Sequence, residues 1–138
     1  MTTTSYGLSI HLITPFDTCR ELIVDALRKE GFGVLTEIDV QAVMRDKIGA
    51  QMPRYVILGA CNPQLAHSAL LEDQDVGLLL PCSVVVREDQ HGGCVVSIAD
   101  PVVLARVSSS SALQAISATA REKLARALHS VTGESANR

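Results

Sequence analysis

The chain has 138 residues, of which 47% are hydrophobic and 20% charged, and this length and composition are typical of one globular domain. Its formal charge of −3, with two Phe, two Tyr and no Trp, argues against a nucleic-acid partner, which needs a basic surface or aromatic residues that stack on bases. Residues 1–5 carry no secretory signal, and the longest apolar stretch, residues 76–86, is shorter than the ~20 residues of a membrane helix. We therefore expect a cytoplasmic protein with no membrane partner.

Apolar periodicity predicts a strand and then a helix at the start of the chain. Residues 5–13 alternate between polar and apolar side chains, as a half-buried strand does. Thr14-Pro15 is a typical helix start, and Gly31 is a typical helix terminator. The helix between them has one apolar stripe, made of Phe16, Cys19, Leu22, Ile23, Ala26 and Leu27.

Two further strands and a short helix are predicted next. Asp39 is the expected cap of the short helix, and Gly49 is its expected end. Residues 54–60 form a strand that is apolar on both faces. The strand before the short helix covers residues 32–38, and its side chains Phe32, Val34 and Ile38 are expected on the same face.

The following segment contains a helix, an extended run and a hairpin. Asn62-Pro63 repeats the cap-and-proline start and opens a helix through residue 71. Residues 76–80 are predicted to be extended up to Pro81, because proline donates no hydrogen bond to a sheet. Two strands, residues 83–88 and 94–99, flank a polar, Gly-rich hairpin loop.

The last part of the chain is predicted to be helical. Asp100-Pro101 begins a short helical turn, and Ser111 with Gln114 forms a capping box for the final helix. Gly133 is expected to end that helix, so the ordered part of a single domain, residues 1–138, runs from about residue 5 to 132 and the tail from 133 onward is frayed.

These elements predict an α+β fold with two layers, in which helices pack on one face of a mainly antiparallel sheet of about five strands. A two-layer domain leaves the second sheet face in water, although three strands carry apolar residues on both faces. Such surfaces usually bind a partner, so we predict a homodimer; alternatively, the last helix or a loop covers this face within one protomer. The residues concerned are Val56, Leu58, Val84, Val85, Val86, Val95 and Val96.

The four cysteines are expected to be free thiols in an intracellular protein. Cys61 lies where a strand gives way to the helix capped by Asn62, and free amides there favour a thiolate; alternatively, Cys61 is a small buried residue. Cys82 follows Pro81 at the next break and approaches Cys61 if both breaks lie at one end of the sheet. Cys19 and Cys94 are expected in the core.

The remaining polar residues give no catalytic constellation. Lys47, at the end of the short helix, either complements the negative helix end or anchors an anion. Glu37 and Asp39 share a strand face, but Asp39 is already assigned to capping. No histidine has a metal-ligand spacing and no nucleotide or hydrolase motif occurs, so the sequence predicts no catalytic or metal residue and specifies no cofactor.

Several segments, in order along the chain, resemble the DUF302 family, a domain of unknown function, from about residue 6 to 131. The most specific are residues 55–63 (YVILGACNP) and 78–82 (LLLPC), supported by residues 31–35 and 37–40, Lys47 and Asp100-Pro101. Ser83 departs from the Asn that the family more often has. The resemblance implies a curved, mainly antiparallel sheet similar to that of TATA-binding protein, and frequent dimers, but no established activity. The matching candidate site residues are Lys47, Cys61, Asn62, Pro81 and Cys82.

Two hypotheses about function follow. In the first, the protein is a non-catalytic, homodimeric ligand-binding or regulatory module that holds a small molecule near Cys61 and Asn62. In the second, it is a thiol-dependent protein for redox sensing, sulfur handling or binding of a soft metal or haem through Cys61, with Cys82 as a second group.

Overall fold

The computed structural model describes residues 1–136, with side chains through residue 133. Its sheet has six strands in the order β1-β2-β6-β5-β4-β3, and every neighbouring pair is antiparallel. This confirms the predicted α+β fold and adds a short edge strand, β1, at the amino terminus. The strands are β1 (Thr2–Thr3), β2 (Gly7–Leu12), β3 (Gly33–Asp39), β4 (Tyr55–Cys61), β5 (Cys82–Glu88) and β6 (Cys94–Ala99).

The helices occupy the connections between these strands and the carboxyl-terminal part of the chain. None of those in the described residues is long and apolar enough to cross a membrane. They are α1 (Phe16–Lys29), α2 (Val40–Ile48), α3 (Pro63–Glu72), a 3₁₀ helix (Gln74–Leu79), α4 (Val102–Val107) and α5 (Ser111–Ala136).

The core lies between one face of the sheet and the two long helices, α1 and α5. All six residues of the predicted α1 stripe are buried there. Leu124, Leu128 and Val131 of α5 join the same cluster as the inward-facing side chains of β2, β5 and β6. The last helix therefore does not cover the second sheet face, and that part of the alternative was wrong. Tyr55, Ile57, Val85 and Val95 alternate with buried neighbours and are only half-buried.

A β-bulge changes the side-chain pattern of β3. Val34 pairs with Ala60 but Thr36 pairs with Gly59, which leaves Leu35 as an extra residue. Beyond the bulge, each side chain lies on the opposite face from the one that simple alternation predicts. Ile38 therefore does not share a face with Val34; it is exposed, and that prediction was wrong. Glu37 instead reaches Arg20 of α1.

The structure corrects one predicted element and both ends of the predicted final helix. Residues 76–80 are not extended, because the Asp73 carboxylate accepts from the Asp75 amide and starts the 3₁₀ helix. The final helix is capped by the hydroxyl of Ser110, which accepts from the Leu113 amide, rather than by Ser111. It also continues past Gly133 to residue 136, since a glycine inside a helix costs only about 1 kcal/mol. The last two residues of the predicted frayed tail lie outside the described residues.

Candidate functional site

The segment that follows β4 and the segment that precedes β5 lie at the same end of the sheet. Because these strands are antiparallel and Ala60 pairs with Cys82, the end of β4 lies beside the start of β5. Helix α3 leaves from this end, and the 3₁₀ helix returns to it. Cys61 and Cys82 therefore lie at the same end of the sheet, which was the condition for these two residues to approach each other.

A pocket of about 470 Å³ opens at this end, within the range of roughly 300–1,000 Å³ that small-molecule sites occupy. Its walls come from the ends of β4, β5 and β6 and from α3, the 3₁₀ helix, α4 and α5. Most of its lining is aliphatic, and Tyr6, Leu78 and Leu79 contribute exposed apolar side chains to it. The other aliphatic lining residues include Leu65, Ala66, Ala69, Leu80, Val103, Leu104, Ile116, Ala120 and Leu124.

Asn62 lines the pocket and also shapes the fold around it. Its side-chain Oδ1 accepts from the Leu65 amide, which confirms the predicted cap of α3. Its amide Nδ2 lies against Gly31, where an added Cβ would come within 2.9 Å of it. Gly31 also has φ of +84°, a conformation that favours glycine, so this residue pair ties the end of α1 to the start of α3.

Pro81 lines the pocket and has a packing role as well. It follows Leu80 through a cis peptide bond, and its ring lies over Gly59 of β4. A Cβ at Gly59 would come within 2.8 Å of the Pro81 Cγ atom, so only glycine lets the two segments approach this closely. The same Cβ would come still closer to the hydroxyl of Thr36 on β3, so the glycine of the 55–63 segment is required by two neighbours, of which the proline of the 78–82 segment is one.

The two free thiols at the pocket have different surroundings. Burial raises the pKa of the Cys82 thiol to about 12, with a smaller contribution from the nearby charge of Asp100. This thiol stays protonated at neutral pH, and its Sγ donates to the Ala99 carbonyl at 3.5 Å. Cys61 is half-buried, and its side chain leaves β4 on the side opposite to Cys82, because Ala60 is the residue paired with Cys82.

Two buried polar residues that sequence reasoning had not selected also line the pocket. Asp100 is 3% exposed, and its two oxygens accept from the Arg121 Nε at 3.1 and 3.2 Å. Ser117 is equally buried, and its hydroxyl has no hydrogen-bond partner among the described residues. A signal for Ser117 was present in the sequence, since it is a polar residue inside the apolar stripe of the last helix. Asp100 gave no such signal, because an Asp-Pro pair is an ordinary helix start.

The structure brings together four of the five predicted site residues, Cys61, Asn62, Pro81 and Cys82. Lys47 is absent from the described pocket lining; it is an exposed residue in the last turn of α2. Its position agrees with the interpretation that it complements the negative end of that helix.

The prediction of four free thiols was wrong for the other two cysteines. The sulfur atoms of Cys19 and Cys94 lie at disulfide distance, and both residues are fully buried between α1 and the start of β6. Sequence spacing gave no indication of this pair, because the two residues are 75 positions apart. Over the part of the chain that is described, no group of three or more His, Cys, Asp or Glu residues could hold a metal ion.

Comparisons with known proteins agree with this fold. The family described as "Domain of unknown function DUF302" matches residues 8–131. A crystal structure of an uncharacterised conserved DUF302 protein from Bacillus stearothermophilus has 30% sequence identity and a TM-score of 0.83, covering 91% of this chain and 98% of that one. Comparison with curated proteins gives no match.

Proposed function

This chain belongs to the DUF302 family, a domain of unknown function, and we propose that it is a homodimeric module that binds a small, mostly apolar molecule in the pocket beside Cys61 and Asn62. The pocket itself carries the proposal. It is concave, largely aliphatic and built from elements far apart in sequence, and it holds a small number of polar groups, as ligand sites do. Fully burying one leucine side chain contributes about 1.5–3 kcal/mol, so covering the exposed Leu78 and Leu79 is a substantial driving force for binding.

A second surface supports self-association. Five large apolar side chains are exposed within one short stretch of β3 and α2, which we name the 35–48 surface: Leu35, Ile38, Val43, Met44 and Ile48. Helix α2 contributes no buried residue, and β3 is an edge strand with unpaired backbone groups. A two-fold contact between two copies removes this surface from water and covers the open edge at the same time.

The thiol-dependent alternative has less support from the geometry. A thiolate is the reactive form of cysteine, and the raised pKa of Cys82 leaves only a very small thiolate fraction at neutral pH. The side chains of Cys61 and Cys82 also leave the sheet on opposite sides, so the two sulfurs are not directed at a shared partner. Binding of a ligand needs neither condition.

Fluorescence titration with N-phenyl-1-naphthylamine, a neutral apolar probe, tests the binding proposal. Ala66→Trp places a large side chain in the pocket from α3, whereas His67→Trp places it on the exposed side of the same helix. We expect the wild type and His67→Trp to bind the probe with similar affinity, and Ala66→Trp to bind it at least about tenfold more weakly. Equal binding by the two Trp variants would show that the probe lies elsewhere, and no binding to the folded wild type would contradict the proposal.

A further inference from the structure

Two of the polar side chains that line the pocket, Asp100 and Ser117, are buried. The Oδ1 atom of the Asp100 carboxylate accepts from the Val102 amide at 3.0 Å and from the Arg121 Nε at 3.1 Å, whereas Oδ2 accepts, among the described residues, from the Arg121 Nε alone. A carboxylate offers about four acceptor positions, so Oδ2 can accept another hydrogen bond. Asp100 lines the pocket, so a ligand inside it is the available donor.

Ser117 lines the same pocket as this carboxylate. It precedes Arg121 by four positions on α5, and residues with this spacing occupy the same face of a helix one turn apart. Because the Arg121 Nε binds both oxygens of Asp100, the carboxylate packs against the face of α5 that carries Ser117. A buried hydroxyl without a partner destabilises the folded protein, and a ligand group that bonds to this hydroxyl removes that cost.

The charge of the pocket is balanced without a ligand. Asp100 is paired with Arg121, and Arg121 is not among the described residues that line the pocket. The Cys82 thiol is protonated at neutral pH because burial raises its pKa. An anionic ligand would therefore meet the Asp100 carboxylate with no cation among the described lining residues to offset it, and a cationic ligand would compete with Arg121 for the same oxygens.

Given the proposed binding function, on which this inference rests, we infer that the ligand is a neutral, mostly apolar molecule with one hydrogen-bond donor, such as a hydroxyl group, which donates to Asp100 and accepts from Ser117. The rest of the molecule contacts the aliphatic walls formed by α3, the 3₁₀ helix and α5. At roughly 30 Å³ per water-sized group, the volume of about 470 Å³ holds about 15 non-hydrogen atoms. A medium-chain alcohol has this size and this single polar end.

Three ligands with the same chain separate this class from other apolar molecules. Decan-1-ol has a donor, its methyl ether has only an acceptor, and decanoate is an anion above pH 7. Displacement of N-phenyl-1-naphthylamine from the wild type measures their affinities. We expect the alcohol to bind about tenfold more tightly than the ether and the ether more tightly than decanoate, because one buried hydrogen bond is lost and then a charge is added.

Two variants assign these interactions to residues. Ser117→Ala is expected to weaken the binding of decan-1-ol and of its methyl ether alike, by about three- to tenfold, because the oxygen of each ligand accepts from this hydroxyl, whereas Thr119→Ala, which removes a hydroxyl on the exposed side of the same helix, leaves both affinities unchanged. Asp100→Asn removes the negative charge and leaves Arg121 unbalanced, so decanoate is expected to bind at least about tenfold more tightly to it than to the wild type.

These outcomes test this inference separately from the binding proposal on which it rests. Equal displacement by all three ligands, or tighter binding of decanoate than of decan-1-ol to the wild type, would overturn the inference and leave the apolar pocket as a binding site. An unchanged affinity for decan-1-ol in Ser117→Ala would show that the ligand does not accept from this hydroxyl, and would also overturn the inference. Failure of the probe to bind the wild type would overturn both.

Discussion

The pocket and the 35–48 surface both expose apolar side chains, but the surrounding structure differs. Leu78 and Leu79 border a pocket whose walls come from α3, α4 and α5, with a buried carboxylate and a buried hydroxyl among them. The exposed residues of the 35–48 surface lie on an edge strand and on a helix that buries none of its residues. A concave region with a few polar groups suits a small molecule, whereas an edge strand with a peripheral helix suits another protein chain.

The largest expected difference between the two regions is in thiol reactivity. In a Cys61→Ser background, Cys82 is the free thiol of the pocket; in a Cys61→Ser, Cys82→Ser background, Ile48→Cys places a thiol on the 35–48 surface. Because burial raises the pKa of Cys82 from 9.0 to about 12, its thiolate fraction at pH 8 is lower by roughly a thousandfold, and iodoacetamide should modify it more slowly by about that factor. Reaction is followed by mass spectrometry of the intact protein.

The pH dependence checks the cause of this difference. A thiol whose folded pKa is raised reacts faster as pH rises, by about tenfold per unit, until pH passes the folded pKa near 12. The same shift makes the folded state less stable as pH rises between 9.0 and 12, because the unfolded chain loses the proton first. Similar rates for the two thiols at pH 8 would mean that the pocket is open enough for water to stabilise the thiolate.

The second difference concerns self-association. If the 35–48 surface is the dimer contact, Ile48→Glu places a charge in it twice, and we expect the dimer dissociation constant to rise by about a hundredfold, or roughly 3 kcal/mol. Leu78→Glu makes the same change at the pocket, and its dimer should dissociate as the wild type does. Sedimentation velocity over a dilution series measures both. A wild type that remains monomeric at high concentration would contradict the dimer, and equal weakening by both substitutions would place its contact elsewhere.

Sequence patterns predicted the elements of this fold better than the contacts between them. The α1 stripe, the Asp39 and Asn62 caps and the hairpin were predictable because they depend on residues a few positions apart. The bulge at Leu35 was not, because only the pairing with β4 reveals the extra residue. Part of the pocket lining was predicted from the sequence, since the selected site residues included Cys61, Asn62, Pro81 and Cys82. The pairing of Asp100 with Arg121 depends on how α5 packs, which local patterns do not specify.

The smallest expected effect is the difference in stability between removing one helix cap and removing another of the same kind. The Asp39 carboxylate accepts from the Ala42 amide at the start of α2, and the Asn62 side chain accepts from the Leu65 amide at the start of α3. Replacing either residue by Ala removes a cap worth about 1 kcal/mol to its helix. Helix α3 packs against α5 and forms a pocket wall, whereas α2 buries no residue.

We therefore expect Asn62→Ala to lower the free energy of global unfolding by about 1 kcal/mol and to weaken probe binding several-fold, because α3 is coupled to the core. Asp39→Ala should lower it by less than about 0.5 kcal/mol, since α2 can open locally while the core stays folded, and should leave probe binding unchanged. Urea unfolding followed by circular dichroism gives the first quantity, with Asn62→Asp as the control that keeps the capping oxygen. Faster hydrogen exchange confined to α2 in Asp39→Ala would identify local opening. Equal losses of unfolding free energy in the two Ala variants would mean that α2 is held as firmly as α3. A partner that covers the 35–48 surface would hold α2 in this way.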